Sequence, residues 1–128
     1  MKKIIQTKDA PEPIGPYSQA VFINDMIYTS GQIAMDPRTN KLIVDTIRNE
    51  TKQVMKNIEA VLKSCNMTFD HVIKSTIYIT NMDDFGTINE VYGNYFKDSN
   101  TPARETVQVS KLPKNVHIEI SVIASKNA

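Results

Sequence analysis

Arginine is scarce in this sequence, three residues against twelve Lys. Where a plain surface cation suffices the chain uses Lys, so an Arg in a constrained setting asks for a reason. Arg104 has such a setting. It follows Pro102-Ala103 and opens a β-rich run, Arg104–Ser110, so its backbone is fixed and its side chain is presented at a sheet end. A guanidinium there can grip a carboxylate through two parallel hydrogen bonds, which an ammonium cannot do. The ordinary alternative is a salt bridge to Glu105, Glu119 or another acid, and spacing alone favours it. Glu119 sits in a second β-rich run, Val116–Ala124. Alternation there puts His117, Glu119 and Ser121 on one face, opposed by Ile118, Ile120 and Val122.

Other chemistries find little support. His71 and His117 are far apart and make no metal-ligand pattern, so both read as structural or solvent-facing. Cys65 falls on an apolar helical stripe and reads as a packing residue. No motif supports a Cys–His or Ser–His–Asp nucleophile, a phosphate-cradling loop or a dinucleotide fingerprint. Fifteen basic against fourteen acidic side chains leave a formal charge of +1, without the surplus that binding a phosphate backbone needs.

Those residues must be positioned by something, and 128 residues with 41% apolar and 23% charged content suffice for one domain, 1–128, with one core. A single Cys forms no internal bridge and suits a reducing compartment. The start, Lys2-Lys3-Ile4-Ile5, is too short in apolar residues for a signal peptide, and no run could span a bilayer. The expected setting is cytoplasmic, away from membranes.

A short first strand leads into the Pro-rich loop Asp9–Pro16. The segments Tyr17–Ile23 and Met26–Ser30 flank Asn24-Asp25, two residues that tolerate positive φ, which predicts a tight hairpin. Asp36–Asn40 reads as a turn. Ile47, Thr51, Val54, Ile58, Val61/Leu62 and Cys65 recur at helical spacing, with Arg48, Glu50, Lys52, Lys56, Glu59 and Lys63 on the other faces. Asp45 or Thr46 can cap this helix, and Asn66 stands where a left-handed terminator belongs. A second helical stripe runs through Phe85, Ile88, Tyr92 and Tyr95/Phe96, preceded by Asn81 and Asp83-Asp84. Gly86 and Gly93 weaken it by about 1 kcal/mol each relative to Ala, so packing must hold it. With Val72–Thr80 between the helices, the order predicts an α+β sandwich, a sheet of about six strands with two helices on one face.

Two helices cover one side of such a sheet only. Val107 and Val109 share one face of their strand, and Arg104, Thr106 and Gln108 the other. Pairing apolar faces under the helices puts Arg104 and Glu119 together on the uncovered face. That face is either solvated or meets another subunit.

Taken in order, Gly15-Pro16-Tyr17-Ser18-Gln19-Ala20, Ser30-Gly31-Gln32-Ile33, Asn89 with Tyr92, Pro102-Ala103-Arg104, Leu112-Pro113 and Ile118-Glu119-Ile120 resemble the RidA/YjgF/UK114 family nearly end to end. The resemblance implies a chorismate-mutase-like α+β fold in a homotrimeric barrel, with ligand clefts between subunits. It further implies cofactor-independent hydrolysis of enamines and imines such as 2-aminoacrylate, 2-iminopropanoate and 2-iminobutanoate to 2-oxo acids and ammonia. Pyridoxal-phosphate-dependent dehydratases release such intermediates. By the resemblance, Arg104 holds the substrate carboxylate, and Glu119 positions water and shuttles a proton. The backbone carbonyl of Thr106 helps hold that water. Tyr17, Ser30, Gly31 and Asn89 line the cleft, Gly31 permitting close approach of backbone to ligand. The sequence departs from the family pattern at Thr106, often Cys, and at Glu105, where small residues are common; alternation points Glu105 away from Arg104.

Two other classes compete. Tyr17, Tyr28, Tyr78, Tyr92 and Tyr95 could stack on single-stranded RNA, as in an RNA-binding translation inhibitor or endoribonuclease. Near-neutral charge and the lack of a catalytic His pair argue against it. The other is a non-enzymatic module, a small-acid sensor or holdase-like trimer; superfamily branches without the arginine are not expected to deaminate imines, and Arg104 favours the enzyme.

Overall fold

The computed structural model describes residues 1–128. Local signals act where the sequence puts them. Asn24 and Asp25 take φ of 51° and 62°, closing a hairpin between β2 (Ala20–Ile23) and β3 (Met26–Thr29). Helix α1 (Ile47–Lys63) starts at Thr46, whose side chain accepts from the Asn49 amide, a cap worth about 1 kcal/mol. Beyond it Asn66 is left-handed at φ 58°. Asn81 caps a 3₁₀ turn over Met82–Asp84, which leads into α2 (Phe85–Gly93). Helix α2 stops before Tyr95 and Phe96, yet Phe96 still packs on Tyr92, and the Tyr95 and Phe96 rings meet Phe69.

Together with β1 (Lys3–Ile5), β4 (Val72–Ile79), β5 (Ala103–Gln108) and β6 (Ile118–Ser125), the hairpin forms one mixed sheet in the order β1-β2-β3-β6-β4-β5. Only β4 and β5 run parallel, joined through α2, as a crossover connection requires. Val54, Met55, Ile58, Val61 and Leu62 of α1 pack against Ile27, Ile77, Ile79, Ile118 and Ile120 of the sheet, all fully buried. The α+β arrangement with both helices over one face therefore matches the expectation. No helix is long and apolar enough to cross a membrane.

One face assignment is reversed. In the β4–β5 register Ser75 pairs with Arg104, Ile77 with Thr106 and Ile79 with Gln108. Since Ser75, Ile77 and Ile79 point at the helices, so do Arg104, Thr106 and Gln108. Val107 lies on the open face, 45% exposed, beside Tyr78. Glu119, also opposite Tyr78, is on the open face as expected. Arg104 and Glu119 thus occupy opposite faces of one sheet. The reason is the edge: β5 has a neighbour on one side only, and α2 reaches over it with Phe85, Asn89 and Tyr92 in place of an aliphatic surface.

A second reversal concerns Glu50, expected on a solvated face of α1. It is fully buried, and its carboxylate receives the amides of His117 and Ile118 and pairs with His117 Nδ1. Cys65 is buried and unpaired, as expected.

Candidate active site in two halves

The first half is built around Glu119 on the open face of β6. A hollow of about 300 Å³ is lined by Ile14, Tyr17, Ser30, Gly31, Pro113 and Glu119, among others. Four candidates from the sequence, Tyr17, Ser30, Gly31 and Glu119, therefore share one space. Their positions trace back to Gln19, 2% exposed and just before β2. Its carboxamide accepts from the Thr7 amide and donates to the carbonyls of Thr7, Ala10 and Pro11, pinning the Pro-rich loop. Tyr17 then turns its hydroxyl onto the Ile14 amide, and Ser30 donates to the Ser18 carbonyl at 2.6 Å. On the far side Pro113 is presented by Lys114 and Asn115, both left-handed. For Lys114 that conformation costs about 1–2 kcal/mol, and nothing in the sequence announced it.

Gly31 allows a close approach by the Glu119 carboxyl. A Cβ at that position would stand 2.5 Å from Glu119 Oε2 and 2.6 Å from Cδ. The missing side chain is where the Glu119 carboxylate lies. Burial pushes the Glu119 carboxyl above its ordinary range, since removing water disfavours the charged form. A carboxyl so raised holds its proton to higher pH than an exposed one, which suits a group that gives up a proton and takes one back. No Lys, Arg or His is within ion-pairing distance of it.

The second half lies at the other edge of the sheet. The Arg104 guanidinium donates through Nη1 to Asn89 Oδ1 and lies 5.3 Å from the Tyr92 ring centroid and 5.6 Å from that of Phe85. Tyr92 is held by a 2.9 Å bond to Ser75 Oγ, and burial raises its hydroxyl pKa. Arg104 and Asn89 are thus brought together, with Thr106 two residues along the same face. The anticipated salt bridge is not made. Glu105 pairs with Lys74 at 2.8 Å on the open face, and no carboxylate reaches Arg104. Thr106 Oγ1 is buried without a hydrogen-bond partner.

Sequence reasoning missed Gln19 as the anchor of the loop and Glu50 as the buried acid behind β6. The one available signal was an acid within the helical run, and charge alone read as solvent-facing. A larger cleft, about 520 Å³, lies elsewhere, between α1 and the loops around Lys8 and Arg38. Its charges are partly paired, Arg38 with Asp36 and Lys63 with Glu59, and it holds none of the candidates. Of the five tyrosines, Tyr92 is buried and Tyr95 packs on Phe69, which removes two rings from any stacking platform. No cluster of three or more His, Cys, Asp or Glu is arranged to hold a metal ion.

Residues 7–126 match the family model described as Endoribonuclease L-PSP. A RutC family protein of Saccharolobus solfataricus is 49% identical over 99% of this chain and 100% of its own length. The 2-iminobutanoate/2-iminopropanoate deaminase of Homo sapiens is 45% identical over 97% of this chain and 90% of its own. The crystal structure of E. coli TdcF with bound serine superposes with a TM-score of 0.91 at 40% identity, covering 97% of this chain and 98% of that one. Matched along nearly its whole length in sequence and in fold, the chain belongs to the Rid/YjgF/L-PSP family.

Proposed function

We propose that this protein hydrolyses reactive 2-imino acids and their enamine tautomers, 2-aminoacrylate among them, to 2-oxo acids and ammonia. The observation that carries the reading is the pair of unpartnered groups: a guanidinium with no acid near it, and a half-buried carboxyl with no cation near it. Each is pre-positioned, and each lacks what the other would supply around a small organic anion. They lie on opposite faces of one chain, so the active species is a closed homotrimer whose neighbouring sheets bring Arg104 of one subunit to the Glu119 hollow of the next. The open face, with Tyr28 and Val107 more than two-fifths exposed, offers the apolar surface for that contact. The serine bound to TdcF, itself an amino acid with a carboxylate, supports the ligand class.

In the reaction, Arg104 takes the carboxylate in its fork, a charge-assisted contact worth about 1.5–3 kcal/mol. Asn89 and the two aromatic rings keep the fork from turning. Glu119, protonated, gives its proton to the substrate, at carbon for the enamine or at nitrogen for the imine, leaving an electrophilic iminium carbon. The resulting carboxylate accepts a proton as water adds to that carbon. Transfer of that proton to nitrogen makes ammonia the leaving group, and as it departs the hydroxyl proton returns to Glu119, leaving the 2-oxo acid and the protonated carboxyl that began the cycle. The backbone carbonyl of Thr106 is a second acceptor for the water. A placed acid/base of this kind contributes about 10²–10⁴-fold in rate. The iminium is already reactive, so little else is asked of the protein. Pyridoxal-phosphate-dependent dehydratases are the enzymes that would supply the substrate; the protein's own residues suffice for the hydrolysis.

The test is complementation. Arg104→Ala and Glu119→Ala chains should each be inactive in an assay in which a serine or threonine dehydratase feeds imine and 2-oxo acid is followed against semicarbazide. Refolded together in equal amounts, random assembly gives about a quarter of the sites one intact half from each parent. Recovery of that share supports a site shared between subunits; two active single variants would end the proposal. The RNA reading predicts instead salt-sensitive oligonucleotide binding that ignores Arg104.

A further inference from the structure

Glu50 carries its carboxyl group into the protein interior, with no Lys or Arg beside it. Its Oε2 accepts from the His117 amide at 2.7 Å and the Ile118 amide at 3.1 Å, and its Oε1 lies 2.7 Å from His117 Nδ1. The His117 ring, half-exposed, covers it from outside. A buried acid is retained at a penalty unless its oxygens are satisfied, and here three groups from two consecutive residues satisfy it. All three belong to the entry into β6, and the next residue is Glu119. One residue further, Ile120 and Gln32 exchange backbone hydrogen bonds of 2.8 and 3.1 Å. The Glu119 backbone is thus clamped on one side by α1 and on the other by the segment after β3 that carries Gly31 and Gln32. On the Gly31 side the Glu119 carboxyl occupies the space a Cβ would take.

We propose that Glu50 is a positioning residue for Glu119: by holding the amides of His117 and Ile118 it fixes the height of β6 against α1, and with it the carboxyl that moves the proton. This rests on the imine-hydrolysis reading above for its kinetic consequence, but its geometric content stands apart. Acting through the backbone, Glu50 should govern turnover and leave substrate capture, the task of Arg104, almost unchanged.

The experiment compares Glu50→Asp and Glu50→Gln with the parent, using kcat, KM, melting temperature and the ¹³C-carboxyl titration of Glu119. Aspartate draws the carboxyl back by one bond, about 1.5 Å. Misplacement on that scale costs catalysis about 10–100-fold, so kcat should fall by at least about tenfold with KM within about twofold. The Glu119 titration should move towards the ordinary carboxylate range as its packing loosens. Glutamine keeps an oxygen for both amides and a side-chain N–H that can donate to His117 Nδ1, so it should restore kcat to within about threefold. A folded Glu50→Asp protein with a lower melting temperature but unchanged kcat and Glu119 titration would overturn the proposal, the role being structural only. Equal loss in Glu50→Gln would overturn it too, because charge rather than placement would then be at work. Should Glu50→Asp fail to fold, Glu50→Gln decides by itself: kcat and Glu119 titration near the parent's support the proposal, and loss of either in a folded protein sinks it. If the parent hydrolyses no imine, the functional reading fails alone and the Glu119 titration still decides the positioning.

Discussion

Replacing Gly31 with alanine adds one carbon next to the proton-transfer group and changes nothing else of consequence. Gly31 has no positive φ, so the backbone accepts alanine without strain. The new methyl would stand 2.5 Å from Glu119 Oε2, where ordinary van der Waals contact begins at 3.4 Å, so the carboxylate must withdraw by about 0.9 Å. The Glu119 side chain is half-buried and can turn into the hollow. The stability loss should therefore sit at the low end of overpacking penalties, about 1 kcal/mol. Catalysis is less forgiving, because a misplacement of about 1 Å costs on the order of 10²-fold. In the dehydratase-coupled assay Gly31→Ala should lose about 100-fold in kcat while its melting temperature drops by only a few degrees. A folded Gly31→Ala protein with kcat within about threefold of the parent would refute the placement of Glu119 as the working acid.

Other outcomes follow from the same geometry. Arg104→Lys keeps the charge but loses the planar fork and the stacking on Phe85 and Tyr92, so kcat/KM should fall by about 10–100-fold, mainly through KM, in steady-state kinetics. Because burial raises the Glu119 pKa, the folded chain holds that proton more tightly than the unfolded one. The stability this gives is complete below the ordinary value of 4.5 and is lost as pH rises through the higher folded value. Glu119→Gln carries no such loss and should melt above the parent at neutral pH, with the advantage gone below pH 4.5, in scanning calorimetry. Thr106→Val removes a buried hydroxyl that has no partner in the chain and should be neutral or stabilising by about 1 kcal/mol; a clear drop in melting temperature would show that another subunit or a ligand uses it. Sedimentation should give a species of about 43 kDa, three chains of 14.4 kDa, and Val107→Lys on the open face should break it down without unfolding the subunit.

The elements were legible wherever their determinants are local. The Asn24-Asp25 hairpin, the Thr46 cap and the left-handed Asn66 each depend on a residue's own φ preference or on a partner three positions away. The helical stripe through Val54, Ile58 and Leu62 is a periodicity that any window of the chain displays. The motif residues Tyr17, Ser30, Gly31, Asn89, Arg104 and Glu119 were likewise named from the sequence. Their division between the two faces of one sheet was not. Alternation separates the two faces of a strand without saying which one meets the helices, and at β5 the apolar-inward assumption chose wrongly. An edge strand can turn Val107 outward and Arg104 inward when the covering helix supplies Asn89 and aromatic rings in place of an aliphatic surface.

What the sequence by itself determined is therefore the order and kind of the elements and the residue types available for chemistry, since these follow from short-range propensity and spacing. Only the tertiary structure decided that Arg104 and Glu119 face opposite ways, that Gly31 makes room for a carboxylate, and that Glu50 lies inside. Each of these depends on register between strands or on donors 67 and 68 residues away along the chain. A charged residue reads as exposed until its partners are known, because burial is forbidden or permitted by hydrogen bonds that only the folded chain brings together.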